Sequence, residues 1–206
     1  MAAADGTAPC PTVPGMTPPS APSTPPSSVV FYRNLNLGHR NSPDRATLEG
    51  ALTEAGARQV RSFQTNGTVL FTADDPTGVV EQAAARLRTA AGFTEPGMVR
   101  DLAELAAIMG ELPFSAYDTG DPTRRPTLTF FDGGTPLGVT LPWTNPKGDV
   151  DFVGLYEGLV LSVVRQSADG SAGGSPTAEV ERLTGAPATT RVLGTVERLL
   201  KAAGLA

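Results

Sequence analysis

The sequence predicts an α+β protein: a ferredoxin-like βαββαβ first half, a smaller α+β second half and a disordered Pro-rich N-terminal tail. Three observations predict it. Residues 29–114 alternate short apolar runs with amphipathic stretches in the order strand, helix, strand, strand, helix, strand, helix. The helical stretches are bracketed by capping residues and glycines. Residues 1–28 hold 8 of the 19 prolines, mixed with Ser, Thr and Ala, so they cannot bury enough apolar surface to offset the entropy of ordering them.

The first strand is Val29-Val30-Phe31-Tyr32. Ser42-Pro43-Asp44 opens a helix, with Ser42 as N-cap and Pro43 preset for the first helical position. Leu48, Ala51, Leu52 and Ala55 give that helix one apolar face, and Gly56 stops it. Residues 58–72 read as a hairpin closed by Asn66-Gly67, which suits a two-residue type I′ turn. Asp74-Asp75-Pro76 opens a second helix with a buried stripe of Val80, Ala83, Ala84, Leu87 and Ala91, ended by Gly92. A strand at about residues 97–99 leads to Asp101 and Glu104, spaced as in a capping box. Leu102, Leu105, Ala106 and Met109 make the third helix amphipathic, with Gly110 and Pro113 closing it. In this arrangement two helices cover one sheet face. The other face is left open or covered by a partner, which makes it the expected surface for a homodimer.

Residues 115–126 are turn formers and mark a boundary, so the second subdomain is placed at 127–206. Residues 128–131 form a strand, and 151–155 with 159–165 form a hairpin around Glu157-Gly158. Residues 133–149 show no clear period, and 167–174 are a Ser/Gly-rich flexible loop. Ser175-Pro176 caps a short helix that ends at Gly185. A last helix follows Thr190 and buries Leu193, Val196, Leu200 and Ala203.

Composition removes several function classes. The net charge of -5 and the lack of a basic cluster disfavour nucleic acid. The single cysteine, Cys10, cannot form an internal disulfide, and a single histidine cannot supply a metal cluster. No apolar run approaches the ~20 residues of a membrane helix, and the N-terminus lacks signal-peptide regions. The expected location is therefore cytoplasmic, with no membrane, no metal and no cofactor. Asn66-Gly67-Thr68 matches a glycosylation pattern that has no use without secretion.

The polar group with most chemical promise is the loop after the first strand, which holds Arg33, Asn36, Gly38, His39 and Arg40. Such a loop can turn backbone N–H groups and guanidinium forks toward an anion. Equally, Arg33 can pair with a carboxylate and Asn36 can fix the turn. No nucleotide fingerprint is present, and no carboxylate pair is spaced for acid–base work, so no catalytic residue is assigned.

The run Tyr32-Arg33-Asn34-Leu35-Asn36-Leu37-Gly38 resembles the L-R-G-I-N-V-G-G start of the bacterial domain-of-unknown-function 1697 family. Residues 63–71 are similar to its Y-x-Q-S-G-N-V-V-F hairpin, and residues 99–105 with Pro113-Phe114 to its V-R-T-x-x-E-L…P-F segment. Residues 185–191 and Thr195-Val196 resemble its G-x-x-x-T-T-R-N-W-N-T-V. The matches run in order from residue 29 to about 203. His39 replaces the second glycine, Ser42 the usual basic residue, and Val192-Leu193-Gly194 the N-W-N, while Arg33, Asn36, Gly38, Asn41, Gly67, Thr190, Arg191 and Thr195 hold.

The resemblance implies an α+β fold with two subdomains and brings no established activity. The expectation drawn from the chain's own polar residues is a non-catalytic module binding a small anionic ligand in a pocket between the halves. Its candidate residues are Arg33, Asn36, Gly38, His39, Arg191 and Thr195. The rival expectations are an enzyme of unknown class using that pocket and a protein-interaction domain that dimerises.

Overall fold

The computed structural model describes residues 26–111, 121, 123–166 and 173–205. The N-terminal tail up to residue 25, Pro113-Phe114 and most of the Ser/Gly-rich loop lie outside the described residues.

The first half is β1 (Ser28–Tyr32), α1 (Arg45–Glu54), β2 (Arg58–Phe63), β3 (Thr68–Thr72), α2 (Pro76–Ala91) and β4 (Gly97–Asp101), followed by α3 (Leu102–Gly110). The sheet order is β2-β3-β1-β4 with every neighbour antiparallel, as the split βαβ arrangement requires. The second half is β5 (Arg124–Phe131), β6 (Trp143–Thr144), β7 (Val150–Tyr156), β8 (Leu159–Arg165), α4 (Pro176–Thr184), β9 (Ala188–Val192) and α5 (Leu193–Ala203). It forms a five-stranded antiparallel sheet, β6-β7-β8-β5-β9. The α+β class holds.

Local chemistry explains most element ends. Asp75 caps α2 through Gly78 N–H, and Asp101 caps α3 through Ala103 and Glu104 N–H. Ser175 caps α4, and Gly92 and Gly185 end α2 and α4 with left-handed φ. The α1 cap is a correction: Asp44, not Ser42, accepts from Thr47 N–H at 2.7 Å, because the helix starts at Arg45. The β2–β3 turn is another. Phe63 pairs with Thr68 across a four-residue loop, and its left-handed residues are Gln64 (φ 62°) and Gly67 (φ 70°) rather than Asn66 and Gly67. A Cβ at Gly67 would lie 2.7 Å from Leu35 Cβ, so the loop that follows β1 also demands glycine there.

The sheets stack face to face. Val30, Tyr32, Val69 and Phe71 pack under α1 and α2 with Leu48, Leu52, Val80 and Leu87. On the opposite face, Val29, Phe31, Leu70 and Met98 meet Leu128, Phe130, Leu159, Leu161 and Val163 of the second sheet. Side chains of α3 and α5 complete this central layer. The far face of the second sheet buries Phe152, Val160 and Ala188 against Val180 of α4 and Leu137. The first-sheet face expected to be open or covered by a partner is therefore covered by the chain's own second half. The physical reason is that every residue of β1 is buried, which requires apolar cover on both faces.

Two strands escape the sequence reading. Residues 133–149 include the short β6, which follows a cis Leu141-Pro142 bond. The last helix, expected after Thr190, begins at Leu193, and residues 188–192 before it form β9 against β5. No helix among the described residues is long and apolar enough to cross a membrane.

Candidate functional site

The sequence-derived candidates separate into three places. Asn36, Gly38 and His39 lie exposed in the β1–α1 loop and mainly close it on itself. Gly38 N–H donates to Pro43 C=O and His39 N–H to Asn36 C=O, at 3.1 Å each, so neither is offered to a ligand. Arg33 is half-buried at the end of β1. Its Nε donates to Glu181 Oε1 at 2.7 Å, and its Nη1 to Glu95 Oε2 at 2.5 Å. These two carboxylates hold the guanidinium pKa well above the ordinary arginine value, and the Arg33 hydrogen bond holds Glu181 below the ordinary glutamate value.

Arg191 is buried, with 8% of its surface exposed. Its five N–H groups have five acceptors: Thr68 Oγ1, Thr189 Oγ1 and the carbonyls of Thr190, Tyr32 and Asn66, at 2.7–3.2 Å. Burial pushes its pKa down to about 10, so it stays charged at neutral pH. Among the described residues no carboxylate forms an ion pair with it. With every donor taken, Arg191 ties β9 to the end of β1 and the β2–β3 loop and has none left for an anion. Thr195 is buried in the first turn of α5 and accepts from Arg198 at 3.3 Å. The expected pocket does not assemble: Arg33 is spent on carboxylates and Arg191 on carbonyls.

Sequence reasoning passed over Arg100, which lies within the 99–105 motif. It projects from β4 toward the second sheet. Its Nη2 donates to Phe131 C=O at 2.8 Å and also to Gly158 C=O, and its Nη1 donates to Val99 C=O at 2.6 Å. Its Nε is buried with no hydrogen-bond partner among the described residues. Burial lowers the guanidinium pKa, and the charges of Glu104, Asp132 and Glu157 oppose that shift.

Three cavities lie in a row beside β4. One of about 280 Å³ is lined by Arg33, Glu95, Pro96, Glu181 and Gly185–Pro187. Next, a cavity of about 290 Å³ shares Pro96 and Pro187 with the first and adds Thr77, residues 97–100 and residues 131–133. The third, about 380 Å³, shares Thr77, Val99, Arg100 and Gly133 with the second and adds Ser28, Pro76, Asp101, Glu104 and Glu157. Shared lining residues make them one groove. The first half supplies one wall through β4 and the start of α2, and the second half supplies the other. Arg33 and Arg100 face six carboxylates in this lining: Glu95, Glu181, Asp132, Asp101, Glu104 and Glu157.

No group of three or more His, Cys, Asp or Glu among the described residues is placed to hold a metal ion.

A family model described as "Protein of unknown function (DUF1697)" matches residues 26–141, more than half of the chain. No curated protein matches. Among solved structures, the conserved bacterial protein SP0830 from Streptococcus pneumoniae is similar at a TM-score of 0.61 and 18% identity. The match covers 87% of this chain and 99% of that one. At that identity the likeness is one of fold alone.

Proposed function

The chain belongs to the family of proteins of unknown function DUF1697, and from that premise we propose that it is a non-catalytic binding protein whose ligand lies in the groove beside β4. One observation carries this reading: three connected cavities run along β4, walled by both halves of the chain. Clefts between packed units are where binding sites concentrate. The groove's guanidinium groups are already engaged, Arg33 by two carboxylates and Arg100 by carbonyls, so they frame the site rather than move protons. The excess of carboxylates replaces the anionic ligand of the sequence reading with a neutral or cationic one.

Thr77 is exposed and lines two of the cavities, so Thr77→Trp blocks the groove from its rim. The test is a thermal-shift panel of small amines, amino acids, carboxylates and short peptides against the full chain and this variant. A ligand present at 100 times its Kd stabilises the fold by about 2.7 kcal/mol. A stabilising compound whose effect is lost in Thr77→Trp supports the reading. A compound that stabilises both proteins equally, or a panel without any hit, overturns it.

A further inference from the structure

We propose that the groove receives an extended, basic segment of a partner polypeptide, which adds as a strand to the outer edge of β4. This rests on the binding reading above and names the class of partner.

The backbone of β4 supplies the first argument. Its register with β1 pairs Val29 with Arg100 and Phe31 with Met98. Arg33 N–H donates to Pro96 C=O, and Leu102 N–H to Ser27 C=O. Antiparallel ladders alternate bonded and non-bonded pairs, so residues 96, 98, 100 and 102 face β1. Residues 97, 99 and 101 then turn their N–H and C=O groups to the other side. That side carries no strand among the described residues, since β4 ends its sheet. Val99 C=O is taken by Arg100 Nη1, which leaves Val99 N–H and both backbone groups of Gly97 facing outward.

An exposed row of this kind is the feature that strand addition uses. Here it is also recessed, because residues 131–133 and Pro187 stand opposite. A recess excludes a second flat sheet and admits a single extended chain. Five residues of β4 span about 17 Å at ~3.3 Å per residue, enough for a five- or six-residue segment.

Charge supplies the second argument. At one end of the groove Glu95 and Glu181 set two charges against the one of Arg33, Asp132 stands near the middle, and Asp101, Glu104 and Glu157 stand at the other end. In an added strand alternate side chains point to the same face, so Lys or Arg at every second position meets these carboxylates. Such complementarity fixes direction and accelerates encounter.

The experiment uses the full chain and a labelled eight-residue peptide of alternating Val and Lys, with a Val/Glu peptide as control, read by fluorescence anisotropy. The Val/Lys peptide is expected to bind at low salt, and the Val/Glu peptide is not. Binding should weaken about tenfold or more in the double variant Glu104→Gln/Glu157→Gln, which alters only exposed side chains. N-methylating the peptide amides that face β4 should abolish binding, whereas methylating the alternate amides should not. Val99→Pro removes an outward N–H without touching the β1 ladder, and it should weaken binding in the same way. Equal binding of both peptides, no binding of either, or indifference to the methylation pattern would overturn the proposal. If peptides fail while a small molecule stabilises the protein in a Thr77→Trp-sensitive way, only the strand addition falls and the binding reading stands.

Discussion

Phe31 and Phe130 stack with ring centroids 4.0 Å apart and planes 10° from parallel, one ring from each sheet. An arginine flanks each of them. The Arg191 guanidinium lies 5.6 Å from the Phe31 ring and that of Arg100 lies 5.8 Å from the Phe130 ring. Each arginine comes from the opposite sheet to the ring it covers and hydrogen-bonds carbonyls on that ring's sheet or the loop beside it. The halves are thus cross-tied through one aromatic pair and two buried cations.

The stacked pair predicts that the two halves unfold together. Phe31→Ala and Phe130→Ala should each cost about 3–5 kcal/mol, because each removes a fully buried ring from a shared layer. The double mutant should show a coupling of ~0.5–1.5 kcal/mol. Trp143 packs on Phe152 at the far end of the second sheet, so its fluorescence reports that half alone. Its urea transition should coincide with that of far-UV circular dichroism. Separate transitions, or a coupling near zero, would refute the cross-tie.

Arg191 predicts an unequal pair of substitutions. Arg191→Met fills the space but leaves the Tyr32 and Asn66 carbonyls without that donor, at an expected cost on the order of 3–5 kcal/mol. Arg191→Lys keeps the charge with three donors in place of five and should recover less than half of that loss. Arg33→Met, at a half-buried surface pair, should cost about 1 kcal/mol or less. Urea midpoints at constant m-value give the ranking. An Arg191→Met protein as stable as the parent would show that the buried cluster does not hold the halves.

The acid limb of stability should depend on Glu181. Its carboxyl pKa is held below the usual value, first by the Arg33 hydrogen bond and then by Ala188 N–H. A depressed folded-state pKa contributes stability that is present above the unfolded value of about 4.3 and lost as pH falls through the folded value. Glu181→Gln should therefore lower stability at pH 7 and flatten its decline below pH ~4.5. Part of the slope should survive, because Asp44 and Asp121 are also held low by local hydrogen bonds. Thermal unfolding of both proteins between pH 3 and 7 measures the difference. Parallel curves would mean that the Arg33–Glu181 pair is not kept in solution.

The first sheet was legible because its signals are local. Apolar strands, Asp-Pro and Asp-x-x-Glu helix starts and glycine stops all lie within a few residues of what they specify. The cover on its second face was legible too, though missed: Val29, Val30, Phe31 and Tyr32 are apolar on both alternate faces, and a half-open strand would not be. By contrast, β9 hides in Ala188-Thr189-Thr190-Arg191-Val192, where polar side chains occupy buried positions. Thr190 Oγ1 sits 2.9 Å from Thr129 Oγ1 and 2.6 Å from Thr177 Oγ1, and Arg191 reaches the other sheet. Those partners are distant in sequence, so no periodicity announces them. Arg100 is likewise far in sequence from its acceptors Phe131 and Gly158.

The loop between β2 and β3 gives a test that separates two turn geometries. A two-residue turn at Asn66-Gly67 would place left-handed strain on Asn66, and Asn66→Ala would then cost nearly as much as Gly67→Ala. The observed loop places positive φ at Gln64 and Gly67 instead. Gly67→Ala should cost on the order of 2–4 kcal/mol, combining the left-handed penalty with a clash against Leu35 Cβ, an atom that cannot rotate away. Gln64→Gly should stabilise by up to about 1 kcal/mol, since it relieves a positive φ on an exposed side chain while the Gln64 carbonyl still accepts from Arg45. Asn66→Ala should be close to neutral, because its carbonyl still accepts from Arg191 and its side-chain Oδ1, buried with no hydrogen-bond partner among the described residues, is removed. Opposite signs at 64 and 67 with little change at 66 identify the four-residue loop. A large loss at 66 would restore the two-residue turn and remove the geometry that presents Asn66 C=O to Arg191.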